Sequence, residues 1–101
     1  MSVAPSPGLQ ARLAEREALL AELIDVMIRD LGLEREPDEI DPDTPLFATG
    51  LGLDSVDAVE LLVMLEVDFG VKLDGETEGR RALRTVNGMV DLILARREAH
   101  P

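Results

Sequence analysis

The residues best placed to do chemistry in this 101-residue chain are Asp54 and Ser55, an acid and a hydroxyl side by side after the glycine-bearing stretch Gly50-Leu51-Gly52. The apolar spacing that follows predicts a helix starting at this point. Backbone N–H groups at a helix start point outward and the dipole is positive there, so a phosphoester on Ser55 is favoured. A serine in such a place has a simpler use as an N-cap, and the Asp-Ser pair alone does not decide between the two. Other chemistries fail on residue type. Ser55 lacks a Gly-x-Ser-x-Gly setting, and the sole histidine, His100, is penultimate, so serine hydrolysis has no base. Asp41-Pro42-Asp43 begins like a calcium loop, yet Pro45 and Leu46 stand where a ligand and a glycine are required. Gly50-x-Gly52 completes no dinucleotide or P-loop pattern, has no strand before it and lacks the lysine. With no cysteine, disulfides and thiolate metal sites are excluded, and any thiol must come from an added group.

The elements that position this pair follow from spacing. Leu13, Leu20, Leu23, Ile24, Met27 and Leu31 recur near a period of 3.6 and predict a first helix from about residue 10 to 31, stopped by Gly32. Residues 33 to 53 hold Pro37, Pro42, Pro45, Gly50 and Gly52, so they form a long loop. Loops of this length in small domains tend to be functional. Ile40, Leu46, Phe47, Leu51 and Leu53 should fold it back onto the core as an ordered segment with one short helical turn. Asp54 or Ser55 caps a second helix through Val56, Val59, Leu61, Leu62, Leu65 and Phe69, ended by Gly70. Its run Leu61 to Leu65 is apolar on almost every side, so this helix is expected to be the most buried. A short helix near 77 to 83 precedes a last one capped by Thr85, with Val86, Met89, Val90, Ile93 and Leu94 on one stripe. The fold class is all-α: three principal helices plus a short one, with a long ordered loop between helices one and two. Residues 1 to 8 read as a flexible tail, 9 to 97 as one domain and 98 to 101 as a second tail.

Size and charge narrow the function. One modest core fits this length, with no room for a deep substrate cavity, which disfavours an ordinary enzyme. Aromatics supply only 2% of residues, so Leu, Val, Ile, Met and Ala fill the core, a composition suited to helices. No basic leader opens the chain and no stretch approaches the roughly 18 apolar residues of a membrane span, so a cytoplasmic protein without membrane insertion is expected. The formal charge of −11 is concentrated: residues 36 to 71 carry 10 acids and no base. That field repels nucleic acid and attracts a partner with a basic patch.

The stretch Phe47-Ala48-Thr49-Gly50-Leu51-Gly52-Leu53-Asp54-Ser55-Val56-Asp57-Ala58-Val59-Glu60-Leu61-Leu62 resembles the acyl carrier protein signature, in which Gly-x-Asp-Ser-Leu precedes an acidic, apolar helix. The similarity continues through Leu65-Glu66-Val67-Asp68-Phe69-Gly70-Val71 and covers about residues 20 to 95, including Asp43-x-x-Leu46-Phe47 and the Thr85-Val86 helix start. The resemblance implies a non-catalytic carrier and a monomer. Its serine, matched by Ser55, takes 4′-phosphopantetheine from coenzyme A through a phosphopantetheinyl transferase, and the arm's thiol carries acyl groups as thioesters. Asp54 matches the acid that helps present the serine and the transferase's magnesium. Asp57, Glu60 and Glu66, with Val56, Val59 and Val63 between them, match the face that docks on ketosynthases and other acyl-transfer enzymes with basic patches. Asp57 and Glu60, three apart, share one helix face.

Three departures stand out. Val56 replaces the usual Leu, Val67 replaces an acid of the docking surface, and Arg80, Arg81 and Arg84 occupy a third-helix region often acidic in fatty acid carriers. They point to partners other than those of a general fatty acid system. The rival reading is an unmodified acidic helical adaptor that binds a basic protein surface, which has no need of a hydroxyl at residue 55.

Overall fold

The computed structural model describes residues 7–47 and 49–99. Among them the order is α1 (Pro7–Leu31), a single 3-10 turn (Pro37–Glu39), α2 (Ser55–Phe69), α3 (Gly75–Ala82) and α4 (Val86–Ala99). The expected all-α bundle is present. The only β pairing among the described residues is an isolated parallel bridge between Phe47 and Leu53. None of the described helices is long and apolar enough to cross a membrane.

Helix boundaries follow local chemistry. α1 opens on Pro7 rather than near residue 10; proline suits a first helical position, because the N–H it lacks would be unpaired there. Two residues assigned to the flexible tail, Pro7 and Gly8, are therefore helical, and the rest of that tail lies outside the described residues. At the other end α4 runs through Glu98 and Ala99, while His100 and Pro101 lie outside the described residues. α2 ends at Gly70 with φ 67°, a left-handed conformation glycine takes without Cβ strain, and the Gly70 N–H reaches the Glu66 carbonyl. Thr85 caps α4 through its hydroxyl oxygen, which accepts the Gly88 N–H at 3.0 Å.

The core is aliphatic throughout. α1 contributes Leu19, Leu23, Ile24, Val26 and Met27, and α4 contributes Val86, Met89, Val90 and Ile93. α1 packs on both α2 and α4, and α3 packs on α4. Each fully buried side chain of this size stabilises the fold by about 1.5–3 kcal/mol before entropy is counted. The loop joins in, with Ile40, Leu46 and Leu53 buried and Phe47 and Leu51 packed at the edge. The expectation that α2 is the most buried helix is overturned. Only Leu61, Met64 and Leu65 are buried there, Leu62 is exposed and Phe69 is half-buried. The physical reason is position: α4 packs on both α1 and α3 and buries Val86, Met89, Val90 and Ile93, whereas α2 meets the bundle along one stripe and turns its other side outward. Leu13, expected on the apolar stripe of α1, is also exposed.

Candidate functional site

The loop that delivers Asp54 and Ser55 is irregular but pinned at several points. Leu46 and Leu53 insert into the core, and the Leu53 N–H donates to the Leu46 carbonyl at 2.8 Å. From outside the loop, the Arg84 carbonyl accepts the Leu46 N–H at 3.0 Å. Between the anchors the chain folds tightly, with the Leu51 N–H on the Pro45 carbonyl at 3.1 Å. Gly50 sits inside that fold at φ 68°, where any Cβ would overlap the Pro45 carbonyl oxygen, so no other residue fits without moving the backbone. With Leu53 buried next to it, Asp54 is fixed at the surface.

Asp54, not Ser55, caps α2. Its Oδ1 accepts the Asp57 N–H at 3.0 Å, and the Asp57 Oδ2 accepts the Asp54 N–H at 3.0 Å, a reciprocal capping box. The Asp57 N–H holds the Asp54 carboxyl below its usual range; desolvation opposes this and the Val56 N–H adds to it. Ser55 is thereby relieved of capping. It occupies the first position of a 15-residue helix, is exposed, and its hydroxyl makes no hydrogen bond among the described residues. The same geometry modifies one expectation: the Asp57 N–H is committed to the Asp54 Oδ1, so it is not free for a phosphate on Ser55.

Beyond Ser55, α2 presents a mixed apolar and acidic face to water. Val56 is 63% exposed, Val59 59%, Val63 54% and Val67 74%, with Glu60 and Glu66 exposed among them. Asp57 is half-buried, and its commitment to the capping box makes it a less free contact than Glu60 or Glu66. Every predicted member of the docking set thus lies on this helix, with Asp57 serving the helix itself as well.

Sequence reasoning missed a groove. A cavity of about 860 Å³ opens beside α2, lined by Phe47, Ala58, Leu62, Leu73, Leu83 and the arginines Arg80 and Arg84, among others. Ala58 and Leu62 lie three and seven residues past Ser55, so the groove runs along the side of α2 that follows from it. Arg80, Arg81 and Arg84 form an unusual cluster in the sequence, but nothing local shows that two of them wall a cavity. Arg80 is paired there with Glu76 at 2.6 Å. Among the described residues no group of histidine, cysteine or acidic side chains is arranged to hold a metal ion.

The site thus combines a pinned loop, a capped helix whose first residue keeps an exposed hydroxyl without a hydrogen-bond partner among the described residues, and an exposed acidic-apolar face. Comparison with known proteins gives the class. A family model described as "Phosphopantetheine attachment site" matches residues 21–93. The anthracycline acyl carrier protein DauA of Streptomyces sp. (strain C5) is 37% identical over 83 residues, covering 82% of this chain and 95% of that protein. The acyl carrier protein of Thermosynechococcus vestitus (strain NIES-2133 / IAM M-273 / BP-1) is 38% identical over 61 residues, 60% of this chain and 72% of that one. The anthracycline acyl carrier protein DpsG of Streptomyces peucetius is 43% identical over 60 residues, 59% and 70% respectively. The chain belongs to the acyl carrier protein family, whose members are non-catalytic and bear covalent 4′-phosphopantetheine. The reading as an unmodified adaptor falls with that result.

Proposed function

We propose that Ser55 carries the 4′-phosphopantetheine arm and that the exposed face of α2 docks the enzymes that load and unload it. The observation that supports this most is the division of labour at the helix start: Asp54 does the capping, which leaves the Ser55 hydroxyl exposed and without a hydrogen-bond partner among the described residues. A serine kept only as a cap would have its oxygen on a backbone N–H. When bound, the arm supplies a thiol that holds acyl groups as thioesters. Asp54 keeps the helix start rigid under that load and, as an exposed carboxylate beside Ser55, is positioned for the transferase's magnesium. Val56, Val59 and Val63 give partners apolar contact, and Asp57, Glu60 and Glu66 give them charge to meet with Arg and Lys.

The groove beside α2 is suited to shelter part of the carried chain. Its walls are chiefly apolar, but Arg80 and Arg84 add hydrogen-bond donors that a plain hydrocarbon would leave unanswered. Two of the relatives are named as anthracycline carriers. Both points favour a specialised pathway handling oxygen-rich chains of the polyketide kind over general fatty acid synthesis. The test is intact mass after incubation with coenzyme A and a broad-specificity phosphopantetheinyl transferase. The parent should gain one phosphopantetheine and Ser55→Ala none, with helix content unchanged. A gain of the same mass by the folded Ser55→Ala variant contradicts the assignment.

A further inference from the structure

The loop that presents Ser55 is held by a chain of polar contacts that begins on the first helix. Arg16 of α1 donates through Nη1 to Asp91 at 2.7 Å and through Nη2 to the Asn87 Oδ1 at 3.1 Å, both acceptors lying on α4. On its other side Asn87 Nδ2 donates to the Asp43 Oδ1 at 2.6 Å, and the Asn87 N–H donates to the Pro42 carbonyl at 3.0 Å. The amide orientation is fixed by its neighbours, because a guanidinium can only donate and an ionised carboxylate can only accept. Asparagine is a short residue offering one of each, so it can join Arg16 to Asp43.

What lies downstream gives the contact its meaning. The limb held at Pro42 and Asp43 continues to Leu46, whose carbonyl accepts the Leu53 N–H, and Asp54 and Ser55 follow at once. Asp43 is also a wall residue of the groove beside α2. α1 and α4 are joined by their own buried stripes, so the fold does not depend on Asn87 reaching outward to the loop. The loop has no regular ladder of its own, and its geometry does depend on such ties.

We propose that Asn87 is a positioning residue for the Ser55 hydroxyl, clamping the loop through Asp43 so that the helix start and the groove wall keep one geometry. The inference rests on Ser55 as the attachment residue. Asn87→Asp isolates the contact: the new carboxylate still accepts from Arg16 but faces Asp43 with a like charge where a hydrogen bond stood. The backbone bond from residue 87 to Pro42 is untouched. Asp43→Asn combined with Asn87→Asp restores the bond with donor and acceptor exchanged, at the parent's net charge.

Two readouts are taken on parent, single and double variants: amide hydrogen exchange of Leu46 and Leu53, and kcat/KM for modification by a broad-specificity phosphopantetheinyl transferase with coenzyme A. In Asn87→Asp the exchange should quicken roughly fivefold and kcat/KM should fall by a similar factor, the scale of one charge-assisted hydrogen bond in an exposed setting. The double variant should return both towards parent values. Parent-like exchange and modification in Asn87→Asp, or failure of the double variant to recover, overturns the clamp while leaving the attachment reading intact. A parent that gains no mass at all removes the attachment reading and the positioning role together.

Discussion

Along α2 two sets of aliphatic side chains share one helix and meet opposite fates. Leu61, Met64 and Leu65 are sealed against the bundle, whereas Val56, Val59, Val63 and Val67 stand in water one face away. Single exposed apolar residues are ordinary on protein surfaces, but these valines follow one another at spacings of three and four beside Ser55, which makes a continuous strip. Valine is not a favoured helix residue, so intrinsic propensity does not account for its use at solvent positions. The contrast teaches that the apolar content of α2 is divided between a face that holds the fold and a face left in water, which is the one proposed for partners, and that the two can be separated by substitution.

Leu65→Ala should produce the largest effect, because it empties a fully buried site. About 2 to 5 kcal/mol of stability should be lost, read as a lowered midpoint in a denaturant titration. A small shift would mean that the inner face is not the supporting one. Val59→Ser, on the outer face, should stay within about 0.5 kcal/mol of the parent in the same titration. It should nevertheless slow acyl transfer by a cognate enzyme, and Glu60→Lys should do so more steeply at low salt, where charge attraction is least screened. Glu98→Lys, outside the proposed face, serves as the control. Equal slowing by Glu98→Lys would reduce the acidic face to general solubility charge.

The smallest effect concerns pH. Asp54 and Glu78 have folded carboxyls held below their ordinary values of 3.8 and 4.5, Asp54 chiefly by the Asp57 N–H and Glu78 chiefly by the Asp74 N–H with Arg96 beside it. A group whose folded pKa is depressed contributes stability above its unfolded pKa and loses it as pH falls through the folded one. Stability should therefore be flat in this respect above about pH 5 and decline below it. Asp54→Asn should flatten part of that decline, as followed by thermal unfolding in a series of acidic buffers. An unaltered acid profile in Asp54→Asn would show that the capping carboxylate does not carry the pH dependence.

Features encoded within a few residues were legible before the fold was known. Gly32 and Gly70 as stops, Thr85 as a cap, the helical turn among the loop prolines and the helix start at Asp54-Ser55 all depend on neighbours in sequence. Which of Asp54 and Ser55 takes the cap was not legible, since both side chains can accept an N–H and only the geometry of the loop decides. The rank of α2 in the core was misread for a related reason: a helix apolar on all sides reads the same whether a second layer covers it or water does. Phe69 shows the limit at one residue, because its pattern fits the core while its position at the helix end leaves it half-buried. The Asn87 contacts with Asp43 and Arg16 join positions 44 and 71 residues apart, and no local pattern signals them.

The most direct measurement is fragmentation mass spectrometry of the modified parent, mapping the added phosphopantetheine to a single residue. The chain offers three serines, Ser2, Ser6 and Ser55, so the map discriminates sharply. The account predicts the whole added mass on Ser55. Its appearance on Ser2, Ser6 or any threonine would contradict the claim that the start of α2 is built to present the arm.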